Sequence, residues 1–377
     1  MPEAERGLTM DGGIRPGRTL AQSMSRSPDT PDVASRADLE ALPKAELHLH
    51  LRGAMPLSYL RTKFRKYPPG RAIESARPRL RDRMLSQAGI RRILSSANPS
   101  REAHRLFAYS SFDGFLASYL FTGYFVREAE DLRELVSTVR QTLREQHVTY
   151  AEITVSVPEY IMHGIPLDEI MAVLAEEPDG SPTVRWIVDL VRDFGPDACE
   201  ELLERVLALR PPSLVGLTLG GGEHLHPPAP FRRVYEIARE GGLRTTVHAG
   251  EARGPESVWD AVRILEVERI GHGVRAVEDP SLVRFLAEHR IPLEVCPTSN
   301  VRTGIYASIE AHPVRMLFEA GVPLSISTDD PSFFGVSLAE ELAGLRRVGF
   351  SWGEIGDLAH GAFGMAFDPR AAAAQDA

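Results

Sequence analysis

Two imidazoles one residue apart, His48 and His50, sit in the run Lys44-Ala45-Glu46-Leu47-His48-Leu49-His50-Leu51-Arg52-Gly53. The run reads as a short strand over 45–51, and side chains at i and i+2 of a strand project to the same side. Two histidines projecting together make half of a metal site, or two polar residues on a half-exposed strand. Four further runs carry chemistry: His248-Ala249-Gly250-Glu251, Ile270-Gly271-His272-Gly273, Cys296-Pro297-Thr298-Ser299-Asn300 and Ser327-Thr328-Asp329-Asp330-Pro331. A single histidine or aspartate at a strand end usually caps or hydrogen-bonds. A chain that ends four strands in His, Glu or Asp carries groups that are costly to bury unpaired.

Zinc offers the compensation. A catalytic zinc site takes neutral imidazoles and carboxylate oxygens and keeps one position open for water. His48, His50, His248 and Asp329 can supply that set for one ion per chain, with water as the fifth ligand. Bound zinc lowers the pKa of water towards ~7, so hydroxide becomes available at neutral pH. Asp330 is then free to act as a base or acceptor, Glu251 can protonate a substrate, and His272 can orient the hydroxide. Cys296 is not needed as a nucleophile, and its run is expected to shape the pocket floor.

The elements that must position these residues are strands alternating with helices. Apolar, β-rich runs recur at 149–157, 183–190, 214–219, 244–248, 269–272, 292–295 and 323–327, and the first histidine strand makes eight. Helical patterns fall between most of them, at 131–146, 197–209, 231–240, 255–266, 280–288 and 313–320. Pro255, Pro280 and Pro313 suit first helical turns, and Gly241-Gly242 suits a helix end. Eight strands with helices between them predict a parallel sheet closed into an α/β (β/α)8 TIM barrel, with the metal at the C-terminal strand ends. A doubly wound sheet would need a Gly-rich phosphate turn after its first strand, and Leu51-Arg52-Gly53-Ala54 is not one.

Composition narrows the class. The 377 residues are 43% hydrophobic and 25% charged, those of an ordinary soluble domain. A net charge of −9 argues against nucleic-acid and anionic-membrane partners. The two cysteines, Cys199 and Cys296, are far apart, so no disulfide framework is implied and a cytoplasmic location fits. No apolar run approaches a membrane span. Residues 1–36 read as a disordered tail without a signal peptide, with Met10 and Met24 as alternative starts. The barrel is expected over 37–368 and a frayed tail over 369–377. Between 61 and 105 stand 13 Lys/Arg against three acids, a local +10 that leaves about −19 for the remainder. In a barrel this insertion after the first strand lies over the C-terminal face, as a substrate lid, a subunit contact (a homodimer, for example) or a solvated helical face.

Taken together, Leu42-Pro43-Lys44-Ala45-Glu46-Leu47-His48-Leu49-His50, His248-Ala249-Gly250-Glu251, Gly271-His272-Gly273 and Thr328-Asp329-Asp330-Pro331 resemble the signature set of the adenosine/AMP deaminase family. The match runs in order from about residue 38 to 365. The resemblance implies a zinc-bearing barrel and hydrolytic deamination of 6-aminopurine compounds. By position it implies His48, His50, His248 and Asp329 as zinc ligands, with His50 also facing the substrate. It implies Glu251 as the acid that protonates purine N1, and His272 and Asp330 as the pair that positions the hydroxide attacking C6. It implies Gly221, in Leu217-Thr218-Leu219-Gly220-Gly221-Gly222-Glu223, as a backbone contact to the purine edge. Dinuclear relatives would need a lysine on the fourth strand, which is missing; zinc deaminases of the P-C-x-x-C type would need paired cysteines.

Two departures bear on the substrate. Family members acting on plain adenosine usually carry aspartate where this chain has Arg52, and a guanidinium prefers carboxylate or phosphate partners. Thr218 and Gly222 replace acidic residues common in the fourth-strand motif. The expectation is a 6-aminopurine nucleoside with an anionic 5′ extension, such as 6-amino-6-deoxyfutalosine or a 5′-phosphate. The alternatives are a plain adenosine, adenine or AMP deaminase, a salt-bridge role for Arg52, and a catalytically inactive zinc-binding relative. Phe112, Phe115, Tyr119 and Phe121 are expected as helix core, or else as an apolar wall of the pocket.

Overall fold

In the computed structural model, which describes residues 33–177 and 180–375, all strands run parallel. They are β1 (Lys44–His50), β2 (Val148–Ser156), β3 (Thr183–Asp189), β4 (Leu214–Thr218), β5 (Arg244–Thr245), β6 (His248–Ala249), β7 (Ile270–His272), β8 (Leu293–Val295) and β9 (Leu324–Ile326). β1 to β5 form one ladder in chain order and β6 to β9 a second. The ladders join at both seams. Leu49 bridges Asp329 in parallel, with the His50 amide donating to the Asp329 carbonyl and the Asp329 amide to the His48 carbonyl, each at 2.9 Å. At the other seam the Thr246 and His248 amides donate to the Leu217 and Leu219 carbonyls. Eight strand positions therefore close a (β/α)8 barrel.

The expected strand 244–248 is split at Thr246 and Val247 into β5, whose ladder is with β4, and β6, whose ladder is with β7. The run keeps hydrogen bonds to both neighbours, the Glu268 amide donating to the Thr245 carbonyl at 3.0 Å beside β7 and the His248 amide to the Leu219 carbonyl beyond β4. The amide of Gly271 donates to the Val247 carbonyl at 2.9 Å. The split is a local irregularity of pairing without a signature in the run itself.

Helices Ala129–Glu145, Pro196–Ala208, Arg232–Glu240, Pro280–Glu288 and Val314–Glu319 stand where the periodicity placed them. In Ala129–Glu145 the buried stripe Leu132, Leu135, Val139, Leu143 repeats every three or four residues and faces the sheet. Asp279 caps Pro280–Glu288 by accepting from the Ser281 and Leu282 amides. The expected helix 255–266 is Pro255–Asp260 followed by a π turn, Ala261–Leu265.

Two terminal boundaries need correction. Residues 1–32 lie outside the described residues, but Val33 is buried and Ser35 caps the helix Arg36–Ala41. At the other end the expected fraying from 369 is replaced by the helix Ala371–Ala374, whose Ala371 and Ala374 pack with Ala45, Leu47 and Tyr150. Small apolar side chains read as a low-complexity tail, and what fixes them is a docking surface supplied by β1 and β2. Among the described residues no helix is long and apolar enough to cross a membrane.

The basic insertion is a series of short helices: Leu57–Lys66, Pro69–Ser75, Pro78–Ser86, Ala88–Leu94, Pro99–Glu102 and the turn Ala103–Phe107. Tyr59, Leu60, Phe64, Ile90 and Ile93 are buried, whereas most of its arginines are exposed. The exception among its cations is Lys63, buried against Asp131 at 2.5 Å. The last turn packs on the short helix Pro331–Phe334 that follows Asp330, with the rings of Phe107 and Phe333 5.1 Å apart.

Candidate active site

His48 and His50 from β1, His248 from β6, and Asp329 just beyond β9 converge at the C-terminal strand ends. His50 Nε2 lies 3.1 Å from His248 Nε2 and 3.3 Å from Asp329 Oδ1, and His48 Nε2 lies 3.7 Å from the same oxygen. Four donors at about 2.1 Å from one tetrahedral ion stand about 3.4 Å from each other, so the spacing fits a single cation. His48 Nε2 is buried without a hydrogen-bond partner, pointing to the same conclusion. Burial pulls His50 down to about 4 and His248 well below its ordinary value, which leaves these two imidazoles neutral, whereas Glu294 and Asp329 raise His48 against its burial, a direction that a bound cation opposes. The residues present fit a metal.

Three of the four candidate ligands are oriented from behind. Glu294 Oε2 accepts from His48 Nδ1 at 2.7 Å, the Thr218 hydroxyl stands 3.4 Å from His248 Nδ1, and the Ser299 hydroxyl donates to Asp329 Oδ2 at 2.6 Å. Thr218, noted in the sequence only as a departure, therefore meets a ligand. Glu294 is itself held by Arg269 Nε at 2.7 Å, and Arg269 Nη2 reaches Glu152 Oε2 at 2.5 Å. Glu152 and Arg269 belong to strand runs that are not neighbours, so this buried charged layer crosses the barrel interior. It continues to the C-terminal segment, where the Phe367 amide donates to Glu152 Oε1 and Arg269 Nη1 to the Met365 carbonyl.

Glu251, His272 and Asp330 surround the ligand set. Glu251 Oε2 lies 3.6 Å from His272 Nε2, which is 4.0 Å from Asp329 Oδ2. Burial, with Asp329 and Glu223 alongside, pushes the Glu251 carboxyl up to about 8, so it carries a proton at neutral pH. Burial beside Asp329 also pushes Asp330 well above the carboxylate range, a direction that a bound cation opposes; its Oδ1 has no partner. His272 and Asp329 both adopt left-handed backbone, φ 61° and 63°, which is costly for non-glycine residues and aims their side chains inward. Gly53 leaves Asp330 its space, because a Cβ there would lie 1.8 Å from Asp330 Oδ1.

Two buried residues that sequence reasoning missed hold the loops. Glu223 accepts from the amides of Gly250, Glu251, Ala252 and Arg253 and from the Ser257 hydroxyl. Arg192 donates to the carbonyls of Leu219, Gly220, His226 and His248. Only Glu223 left a signal, as the charged residue after three glycines. Gly221 has φ 91°, and a Cβ there would meet Asp193 Oδ2 at 2.1 Å, so the loop after β4 requires glycine at this position.

Arg52 is placed differently from a free anion receptor. Its Nη2 pairs with Glu159, its guanidinium lies 3.9 Å over the Tyr119 ring, and it is buried. Its Nε is buried without a hydrogen-bond partner. The aromatic run divides: Phe121 packs on Phe64 and Phe125 in the core, Phe115 joins Phe333 and Phe334 beside Asp330, and Phe112 is exposed.

Comparison with known proteins places this geometry. Residues 75–375 match the family model described as adenosine deaminase. An aminodeoxyfutalosine deaminase of Streptomyces avermitilis is 36% identical over 331 residues, 85% of this chain and 86% of that protein. An adenine deaminase of Agrobacterium fabrum is 34% identical over 331 residues, 86% of this chain and 93% of that protein. Among solved structures, an amidohydrolase from Burkholderia ambifaria with bound zinc superposes with a TM-score of 0.74 at 25% identity, covering 93% of each chain.

Proposed function

Since the chain belongs to the adenosine deaminase family of metal-dependent aminohydrolases, we propose that it uses one zinc ion to remove the 6-amino group of a purine nucleoside with an anionic 5′ extension, of the aminodeoxyfutalosine type. The observation that carries the reaction class is the convergence of three imidazoles and Asp329 beside a carboxyl, Glu251, that burial keeps protonated. His48, His50, His248 and Asp329 would hold the zinc, which would supply Lewis-acid chemistry and lower the pKa of water towards ~7. The chain's own groups do the rest. Glu251 gives its proton to a ring nitrogen, which makes the adjacent carbon electrophilic. His272 and Asp330 orient the attacking water, and Asp330 accepts its proton. The water oxygen bonds to that carbon, Asp330 passes the proton to the amino group, the C–N bond breaks as ammonia leaves, and the added hydroxyl returns a proton to Glu251 to leave a 6-oxopurine.

Substrate choice rests on two supports, the name of the Streptomyces relative and Arg52. Because Glu159 neutralises the guanidinium, Arg52 would help an anion through its free Nε–H more than through net charge. Ammonia release from adenine, adenosine, AMP and aminodeoxyfutalosine, with metal analysis, tests the proposal. The expected result is about one zinc per chain and kcat/KM for aminodeoxyfutalosine at least about tenfold above adenosine, a gap that Arg52→Gln narrows. Preference for adenine or adenosine by a wide margin would overturn the 5′-anion reading and leave the deaminase standing. No ammonia from any of the four would overturn the deaminase and favour a binding protein.

A further inference from the structure

Behind His272 a single hydrogen-bond direction is handed along three side chains. The Val314 amide donates to His312 Nδ1 at 3.2 Å. A backbone N–H can only donate, so that ring nitrogen holds a lone pair and the proton of His312 sits on Nε2. Nε2 in turn lies 3.1 Å from Asn300 Oδ1. This fixes which way the amide faces, with its oxygen to His312 and its NH2 group to the site. Asn300 Nδ2 stands 3.2 Å from His272 Nδ1 and 3.5 Å from Glu251 Oε1. An amide nitrogen also only donates, so His272 Nδ1 must accept. The neutral His272 ring is left with its proton on Nε2, the nitrogen that faces Glu251 and Asp329.

We infer that Asn300 and His312 are positioning residues that lock His272 in its Nε2–H tautomer, so that His272 meets the attacking water as a hydrogen-bond donor and leaves proton acceptance to Asp330. His272, Asn300 and His312 are 1%, 0% and 4% exposed, so bulk water does not substitute for a missing partner. Burial pulls His312 down to about 3, consistent with the neutral ring that the Val314 amide requires. Asn300 also links the acid and the ring: its two N–H groups face Glu251 and His272, so one amide sets the position of both.

The catalytic consequence rests on the deaminase reading, whereas the tautomer does not, and the experiment separates them. Zinc-loaded protein labelled with 15N in its histidines is expected to show His272 with an unprotonated Nδ1 and a protonated Nε2 at pH 7. Asn300→Asp puts an acceptor-only carboxylate at Nδ1. It is expected to move the proton to Nδ1 and lower kcat by about 10²–10⁴, as a wrongly fixed catalytic imidazole does. His312→Phe frees the amide and is expected to give mixed tautomers with kcat down by about 10–100-fold and KM nearly unchanged. A protonated Nδ1 in the unmodified protein would overturn the inference. So would Asn300→Asp with the tautomer unchanged. An Nε2–H ring in a protein that releases no ammonia would support the lock and overturn the proposed function.

Discussion

Glu251→Gln is expected to lower kcat by about 10²–10⁴ while bound zinc stays at the level of the unmodified protein. The amide keeps the shape and can still meet Asn300, but it has no acidic proton to give to a ring nitrogen. The pH profile makes the test specific. Burial raises the Glu251 carboxyl to about 8, so the acid form dominates below that pH and is lost above it. kcat/KM of the unmodified enzyme should therefore fall on the alkaline side by about tenfold per unit, and the glutamine variant should lack that limb. Stopped assays across pH 6–10, with metal content measured on the same samples, decide the matter. Unaltered turnover would remove Glu251 from the mechanism.

Glu294→Gln is expected to have the largest effect on stability, about 3 kcal/mol at neutral pH, and to weaken zinc binding by about 10–100-fold. Burial alone would raise this carboxyl. Arg269 and the hydrogen bond to His48 overcome it and hold the group down to about 2, against an ordinary 4.5. A depressed folded value means that ionised Glu294 stabilises the fold above about pH 4.5 and that the contribution disappears as pH falls towards 2. Urea melts of metal-free protein should thus show the full gap between the two proteins at pH 7 and a shrinking one below pH 4. A gap independent of pH would show that shape, and not charge, accounts for the loss. Zinc titration of both proteins at pH 7 checks the second effect.

The residues proposed to run the chemistry were legible as candidates because their side chains are rare at strand ends and their spacing is local. His48 and His50 share a strand face, and Asp329 and Asp330 share one turn. Their partners were not legible for a geometric reason. Glu294 lies 246 residues from His48, and Arg52 meets Glu159 across 107 residues. Nothing in a run of sequence states which two strand ends a closed barrel will bring together. Asn300 was seen only as part of a pocket floor, since its role depends on a backbone amide beyond His312. The eight strand positions were readable from apolar runs, while the split between β5 and β6 is a local irregularity of pairing that no run of sequence states.

The charged layer through the barrel has a practical side. From His48 it runs by way of Glu294, Arg269 and Glu152 to the main chain at Met365 and Phe367, so a candidate metal ligand is tied to the segment around residues 365–367. Anyone trimming the chain at about residue 364, on the view that its alanine-rich end is dispensable, would cut away the anchors of the arginine that steadies a ligand-bearing carboxylate. Choosing a truncation point there amounts to choosing how firmly the first histidine stands.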